Sequence, residues 1–490
     1  MRSIHFIGIK GVGMTPLAII AKEAGFIVTG CDVAEDFITD VPLKETGIVV
    51  SSGFHSKHLE NIDLVITTGA HGGLSNPEVK AAKEKGLAVM LQGEAVGKFM
   101  DGALFTRQFK GISVAGCHGK TTTTAMIATI FAEAGVDPSY VIGTSDVSPL
   151  GLPGHYGKGE YFIAEADEYA NEPVYDRTPK FLFQKPEIAV ITNIEHDHPD
   201  LYPTIDSVRD AYLKFTKQIE GRGLLIANGD DTQTKLVLQG YKGKVKTFGF
   251  GLENDYVIQQ GETIDGRTEF ILNKTDKYAL SIPGKHNIMN AAVAAIVAQQ
   301  AGISYEKIKQ GLVKFTGTKR RLEFIGKLPT GALLYDDYAH HPTEIQTTLN
   351  GLKQLYSTKK LVCIFQPHTY SRTKLLLEEF SDSFYASDIV ILTNIFPSAR
   401  EPLDTSISSE HIVEKIIQNT SEEKFNQNTV LYLAKLPDVI KYIKEQGWGE
   451  DTVIVTMGAG DVYKIGLRLY DPDRNREKQS RRDKSEYRIF

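Results

Sequence analysis

From its first residues the chain alternates short apolar runs with longer segments of helical spacing. SIHFIGI at 3–9 and FIVTGCD at 26–32 have the length and β-branched content of buried strands, and GMTPLAIIAKEAG between them spaces its apolar side chains as a helix does. LVITTGA at 64–70 predicts a further strand. Strands and helices in alternation predict a parallel, doubly wound sheet. The pattern restarts at FKGISVAGCHGK, and QGEAVGKFMDGALFTRQ before it reads as a helix and connector, which places a boundary near Lys110. Strands follow in EYFIAEAD, PEIAVITNIE and GLLIANGDD, and KHNIMNAAVAAIVAQQAG is a helix of small residues suited to close packing. A third start follows TGTKRRLEFIGK, with strands in ALLYDDY, KLVCIF, SDIVILTNIF and DTVIVTMGAG. The expectation is an α/β chain of three units, 1–109, 110–321 and 322–490, ending in a charged segment, YDPDRNREKQSRRDKSEYRIF, expected to be partly disordered.

Composition narrows the partners. A length of 490 residues suits about three domains, in agreement with the three starts. The net charge of −6 lacks the basic surplus of a polyanion binder, and no apolar run is long enough to span a bilayer, so neither nucleic acid nor membrane is an expected partner. Cys31, Cys117 and Cys363 lie far apart and show no disulfide or metal spacing, which favours a reducing compartment. The N-terminal MRSIHFIGIKGVGM enters a strand without a signal-peptide core, so a cytoplasmic location is expected.

The chemistry concentrates where strands end. SVAGCHGKTTTTAMIATIF turns an apolar strand into a helix through Gly116, Gly119, Lys120 and Thr121. Backbone N–H groups at such a helix start can hold phosphate, a lysine can reach the outer phosphates, and a threonine hydroxyl suits Mg²⁺. Val114 stands where the usual phosphate loop has its first glycine, so the loop is a shortened form. GIKGVGM also joins strand to helix; it suits a diphosphate at Gly11 and Gly13 with Asp32 at a ribose, or is a purely structural turn. In AEADEY, Glu165, Asp167 and Glu168 repel one another unless a cation sits among them, although a solvated acidic loop reads equally well. TNIEHDHPD adds His196, Asp197, His198 and Asp200 to the same sheet edge. Thr121, Glu165 and His198 could complete a Mg²⁺ site; zinc is the alternative for the histidines, but no cysteine accompanies them in sequence. YDDYAHHPTE contributes Asp336, Asp337, Tyr338, His340 and His341, and FQPHTYSRTK leaves His368, Ser371 and Arg372 in a loop after a neighbouring strand. Arg372 suits a substrate carboxylate through two parallel hydrogen bonds.

The ordered set GIKGVGM, GCHGKTTTT, EADE, TNIEHDHPD, GKHNIMNAAVAA, RR, DDYAHHP and QPHTYSRT resembles the Mur ligase family, from Gly8 to about Gly460. The resemblance implies a Rossmann-like UDP-binding domain, a central P-loop ATPase-like domain and a C-terminal Rossmann-like domain. It implies ATP and Mg²⁺, with an amide formed through an acyl phosphate, and its third-domain motifs are those of the branch that joins L-alanine to UDP-N-acetylmuramate. Gly11, Val12, Gly13, Asp32 and His71 would then meet the UDP-sugar. Gly116, His118, Gly119, Lys120, Thr121 and Thr122 would meet the ATP phosphates, and His286, Asn287 and Asn290 the adenine. Arg320, Arg321 and Asp337 would approach ATP, while Tyr338, His341 and Arg372 would face the amino acid. Lys120, His198, His341 and Arg372 would be catalytic, and Thr121, Glu165 and His198 would hold metal. Several Mur ligases carry a carbamylated lysine after this histidine motif; here no lysine clearly aligns, since Tyr212 falls near that position and Lys214 is only the nearest candidate, which agrees with the alanine-adding branch, where that feature is lacking. The long segment from EADEY through YDRTPKFLFQKP, and RRLE at Arg320 to Glu323, resemble instead a branch that attaches a whole tripeptide. A reading of another class is a non-catalytic nucleotide-binding regulator, which residues 8–13 and Asp32 alone would permit. A monomer or dimer is expected.

Overall fold

The first sheet is all parallel, in the spatial order Val49–Ser52, Ile27–Asp32, Ser3–Ile7, Leu64–Thr67, Ala88–Leu91. The chain lays two strands to one side of Ser3–Ile7 and then two to the other, so the topological switch lies between Ser3–Ile7 and Leu64–Thr67, where open α/β sheets bind ligands. Ile4, Phe6, Ile7, Val65 and Ile66 are all buried, because helical crossovers cover both faces of a parallel sheet. The helix Thr15–Glu23 carries Pro16 in its first turn, where a missing N–H costs nothing. In this computed structural model residues 2–264, 267–397, 401–420 and 429–470 are described. The expected charged segment lies outside them from residue 471 on.

The second sheet has ten strands, in the order Asp276–Leu280, Arg267–Leu272, Tyr256–Ile264, Lys244–Gly249, Leu224–Asn228, Ile188–Ile191, Lys110–Ala115, Tyr161–Ala166, Ser139–Val141, Gly154–His155. It is parallel from Tyr256–Ile264 to Ser139–Val141 and antiparallel at both edges. The antiparallel strands after Lys244–Gly249 were not expected; their polar, alternating sequence lacks the apolar runs that marked the others. The helices Lys120–Glu133 and Lys285–Gln300 share one core, in which Ala291, Ala292, Ala294, Ala295 and Ala298 are fully buried. Small side chains let the two backbones approach, as the sequence led us to expect. The two sheets also share a core: Ile4, Phe6 and Leu17 pack in one cluster with Val141, Phe162 and Ala164. The chain accordingly divides into two compact units, Met1–Lys319 and one beginning at Arg320.

The second unit carries six strands in the order Glu323–Lys327, Leu333–Asp337, Thr452–Met457, Lys360–Phe365, Ile389–Leu392, Thr429–Tyr432. Only the first pairs antiparallel. Leu333–Asp337 and Lys360–Phe365 are therefore not neighbours, as the sequence suggested; Thr452–Met457 inserts between them and pairs with both. Among the described residues no helix is long and apolar enough to cross a membrane.

Candidate active site

Strand Lys110–Ala115 ends in four residues that turn sharply into the helix Lys120–Glu133. Gly119, the residue before the helix, is left-handed at φ 81°, and a Cβ there would stand 2.5 Å from Asn290 Oδ1. At Gly116, with φ 138°, a Cβ would collide with the Thr192 hydroxyl. Both glycines are thus required by backbone conformation and by close neighbours. The loop is braced from the next strand end: Asn193 accepts from His118 N–H at 2.9 Å and donates to His118 O at 3.0 Å, and Thr192 Oγ1 donates to the same carbonyl at 2.6 Å.

Lys120 turns its ammonium back across the loop. It donates to the Gly116 carbonyl and to both oxygens of Glu168, at 3.1 and 2.9 Å. Burial works against its charge, but Glu168, with Asp167 behind it, outweighs burial and raises the lysine above its ordinary range. Desolvation of the half-buried Asp167 favours the neutral acid, yet Lys180 at 2.8 Å and Lys120 hold it well below the usual carboxylate range. The three crowded carboxylates are therefore shared out. Glu168 takes Lys120, Asp167 takes Lys180, and Glu165 accepts from Thr121 Oγ1 at 3.0 Å and from the Gly143 N–H.

Of the metal candidates, the structure joins Thr121 directly to Glu165, while His198 Nε2 lies 4.0 Å from Glu168 and 3.6 Å from Asp197. Glu168, Asp197 and His198 present one ligand atom each within 4.8 Å of one another. Glu168 is the residue that sequence reasoning left without a role; its acidity was visible, but not its position under Lys120. His198 has φ 57° and packs its ring on Tyr169, with centroids 4.6 Å apart. A cysteine does reach this edge, contrary to expectation: Cys117 Sγ donates to Glu195 O at 3.3 Å and accepts from Glu195 N–H at 3.1 Å. Burial, with Glu168 and Asp197 nearby, pushes that thiol far up, so it stays protonated. Tyr212, fully buried on the helix Ile205–Thr216, packs on Phe181, whereas Lys214 on the same helix is exposed. Asn290 accepts from Thr123 Oγ1 at 3.2 Å and donates to Asn287 at 3.3 Å, and Asn287 donates to Pro283 O, so the start of Lys285–Gln300, with His286, abuts the loop.

Around the first sheet, residues 8–13 leave the switch point with only Gly8 left-handed, at φ 77°; Gly11, Val12 and Gly13 lead into the helix. Asp32 is buried, and both of its oxygens are engaged: Oδ2 accepts from Lys10 N–H and Oδ1 from Val33 N–H, each at 2.8 Å. His71 Nε2 lies 3.4 Å from Oδ1. The carboxylate expected at a ribose therefore serves first to hold its own loop. The long segment after EADEY forms the hairpin Ala170–Glu172 and Asp176–Pro179, which leans on the first sheet's loops, with Asn171 Oδ1 accepting from Gly93 N–H at 3.0 Å.

In the second unit Arg320 is buried. Its Nε donates to Asp336 at 3.0 Å, its Nη1 to Gly460 O at 3.3 Å and its Nη2 to the Gly458 carbonyl. Arg321 is more exposed, 3.7 Å from Glu344, and lies over the Tyr338 ring. Asp337 accepts from Leu322 N–H, Ala339 N–H and Thr348 Oγ1; burial still pushes its pKa up to about 6, against the pull of Arg321. His341 caps the helix Pro342–Leu355, accepting from Thr343 N–H. Arg372 sits not in a loop but in the short helix Tyr370–Leu375, buried, with Nη1 3.4 Å from His368 O. The two strand-end segments still meet despite the intervening strand, since the His340 and His368 rings lie 6.0 Å apart.

Three family models match the chain in order: "Mur ligase family, catalytic domain" over residues 3–103, "Mur ligase middle domain" over 114–298 and "Mur ligase, glutamate ligase domain" over 320–460. A UDP-N-acetylmuramate–L-alanine ligase of Desulfitobacterium hafniense is 37% identical over 471 residues, 95% of this chain and 99% of that protein. Among solved structures, a UDP-N-acetylmuramate-alanine ligase of Thermotoga maritima superposes with a TM-score of 0.77 at 24% identity, covering 98% of this chain and 100% of that one; at this identity it shows the fold. A murein peptide ligase of Psychrobacter arcticus gives 0.70 at 26% identity, covering 96% and 98%. With the loop, its lysine and the strand-end motifs all in the matched segments, the chain belongs to the Mur ligase family.

Proposed function

We propose that this chain is an ATP-dependent ligase that joins L-alanine to the lactyl carboxylate of UDP-N-acetylmuramate, a step of peptidoglycan precursor synthesis in the cytoplasm, acting as a monomer or dimer through domains at 1–109, 110–321 and 322–490. The observation that carries this reading is the half-buried Lys120 at the mouth of a strand–loop–helix turn, charged and held by Glu168. Its identity with alanine-adding relatives over 95% of the chain supports alanine as the amine.

The donor set fits ATP and Mg²⁺. Gly116 and Gly119 give the loop a tight course along Thr192 and Asn290 that a Cβ would not allow, and Thr121, Glu165, Glu168, Asp197 and His198 offer mostly oxygen ligands, as Mg²⁺ prefers. Thr121, Glu165 and His198 would hold the metal. ATP with Mg²⁺ supplies the phosphoryl group that makes a carboxylate open to attack by an amine. Gly116, His118, Gly119, Lys120, Thr121 and Thr122 cradle the phosphates, and Lys120 balances their charge. His286, Asn287 and Asn290 flank the adenine, and Arg321 and Asp337, with Arg320 behind them, approach ATP. In the first sheet Gly11, Val12 and Gly13 meet the diphosphate of the UDP-sugar, in a loop held by Asp32, with His71 beside that carboxylate. Arg372 binds the carboxylate of alanine, and Tyr338 and His341 orient its amine.

Phosphate release from ATP with UDP-N-acetylmuramate, screened against Ala, Ser, Gly and the tripeptide, tests the assignment. Fastest release with Ala is the expected result. Release with the tripeptide alone moves the chain to the recycling branch, and NAD binding without ATP turnover in any mixture makes it a regulator.

A further inference from the structure

Away from the active site, four side chains from four elements converge beneath the first sheet. His5 comes from Ser3–Ile7, Cys31 from Ile27–Asp32, His58 from the 3₁₀ turn Ser56–Leu59, and Glu78 from the first turn of the helix Pro77–Glu84. Each presents one ligand atom, and all four atoms lie within 4.8 Å of one another. Glu78 Oε1 is 3.0 Å from His5 Nε2 and 3.3 Å from His58 Nδ1; Cys31 Sγ is 3.0 Å from Glu78 Oε2. We propose that these four residues bind one zinc ion.

The spacing is one that a single tetrahedral ion can span. With metal–ligand bonds of about 2.0 to 2.3 Å, a tetrahedron has edges of roughly 3.3 to 3.7 Å, close to the separations seen here. His5 Nε2, His58 Nδ1 and Glu78 Oε1 are buried and close, yet none of the three makes a hydrogen bond. Both imidazole nitrogens thus crowd the same carboxylate oxygen at ion-pair distance. The far nitrogen of His5 lies 2.8 Å from Thr29 Oγ1, the kind of support that fixes which ring nitrogen is free to bind metal.

Charge and surroundings agree. His5, Cys31 and Glu78 are 1%, 0% and 0% exposed, set among Ile7, Leu59, Ile62, Val65 and Val79. In an apolar layer an unbalanced charge is costly. One thiolate and one carboxylate neutralise a divalent ion, and two neutral imidazoles complete the shell. Thiolate with imidazole selects zinc over Mg²⁺. Binding releases the Cys31 thiol proton to solvent and forms the sulfur–zinc bond without any change of oxidation state. The site would stiffen the loop above it, because the Cys31 carbonyl accepts from Gly8 N–H at 2.9 Å and Ile9 N–H at 3.2 Å.

The test is metal content of the full chain, purified without an affinity tag, supplied with zinc and passed through gel filtration. About one zinc per chain should remain. Cobalt in its place should show a thiolate-to-cobalt charge-transfer band in the near ultraviolet, absent from Cys31→Ser. His58→Asn, at the most accessible ligand, should retain less than roughly a tenth of the metal, and Thr29→Val should weaken affinity by roughly tenfold. Circular dichroism confirms that each variant is folded. Wild type that emerges without zinc, or zinc and cobalt spectra unchanged in both Cys31→Ser and His58→Asn, overturns the proposal; the buried cluster is then an ion pair holding a proton instead of a metal.

Discussion

Two loops of the first unit follow one plan and are equipped for different work. Residues 8–14 and 116–119 each leave the C-terminal end of a parallel strand and enter a helix. At the first, the carboxylate in reach, Asp32, is used up on the N–H groups of Lys10 in the loop and of Val33 beside it. At the second, the loop is braced by the uncharged Asn193 and Thr192, which leaves Lys120 and Glu168 as a charged pair at its mouth. The first loop can recognise a ligand by shape and backbone; the second can also meet it with charge. The same topology therefore does not fix the chemistry. What fixes it is which neighbouring strand end supplies the brace.

Removing the charge should have the largest effect. Lys120→Ala is expected to lower kcat by on the order of a thousandfold, about 4 kcal/mol in the transition state, because it deletes a contact to developing charge. It also strands Glu168, so melting temperature should fall. Adding Glu168→Gln should recover stability without recovering turnover, and recovery of both would detach the pair from the chemistry.

A second test asks whether a strand-end carboxylate with satisfied hydrogen bonds always behaves as Asp32 does. Asp337 also accepts from backbone N–H groups, yet burial raises its pKa to about 6. A carboxyl raised in the folded state binds more protons there than in the unfolded chain. Its contribution to stability is full below about pH 4 and is lost as pH rises through about 6, amounting to at most about 3 kcal/mol. Denaturant titrations from pH 4 to 7 should show this slope, and Asp337→Asn should flatten it; identical slopes in both proteins would refute the assignment.

The glycines sharpen the contrast between the loops. Gly119→Ala forces a left-handed alanine against Asn290, at a cost of about 2 kcal/mol, and should raise the KM for ATP. Gly11→Ala meets nothing nearer than 3.5 Å and should leave melting unchanged, acting only on the UDP-sugar. Equal loss of stability in the two variants would erase the distinction.

The smallest effect belongs to the second unit. Arg372→Lys keeps the charge but loses the fork, so the KM for alanine should rise by roughly tenfold, or about 1.4 kcal/mol, with little change for ATP. An unchanged alanine KM would remove Arg372 from the amino-acid site.

What could be read in the sequence follows from where each signal lies. The turn at Lys120 was visible because its apolar strand, glycines, lysine and threonine are contiguous. The parallel strands were visible as apolar runs, whereas the hairpins at 256–280 were not, because strands solvated on one face lose that mark. Pairing lies beyond any local signal: nothing in LLYDD or KLVCIF announces that a strand some ninety residues later separates them. Glu168 was visible as an acid but not as the partner of Lys120. Cys31 looked solitary because the residues that meet it stand at 5, 58 and 78 and share no spacing.

The place of Thr452–Met457 also governs how the second unit comes into being. Strands Leu333–Asp337 and Lys360–Phe365 have no hydrogen bonds to each other, and both wait for this one. A ribosome that has delivered every residue up to 440 has delivered two half-sheets with unpaired facing edges. Such edges invite pairing with other chains. Stalled or truncated products ending before residue 457 should therefore aggregate or be degraded, while a nascent first unit, its two large sheets already complete by residue 280, can fold as it emerges.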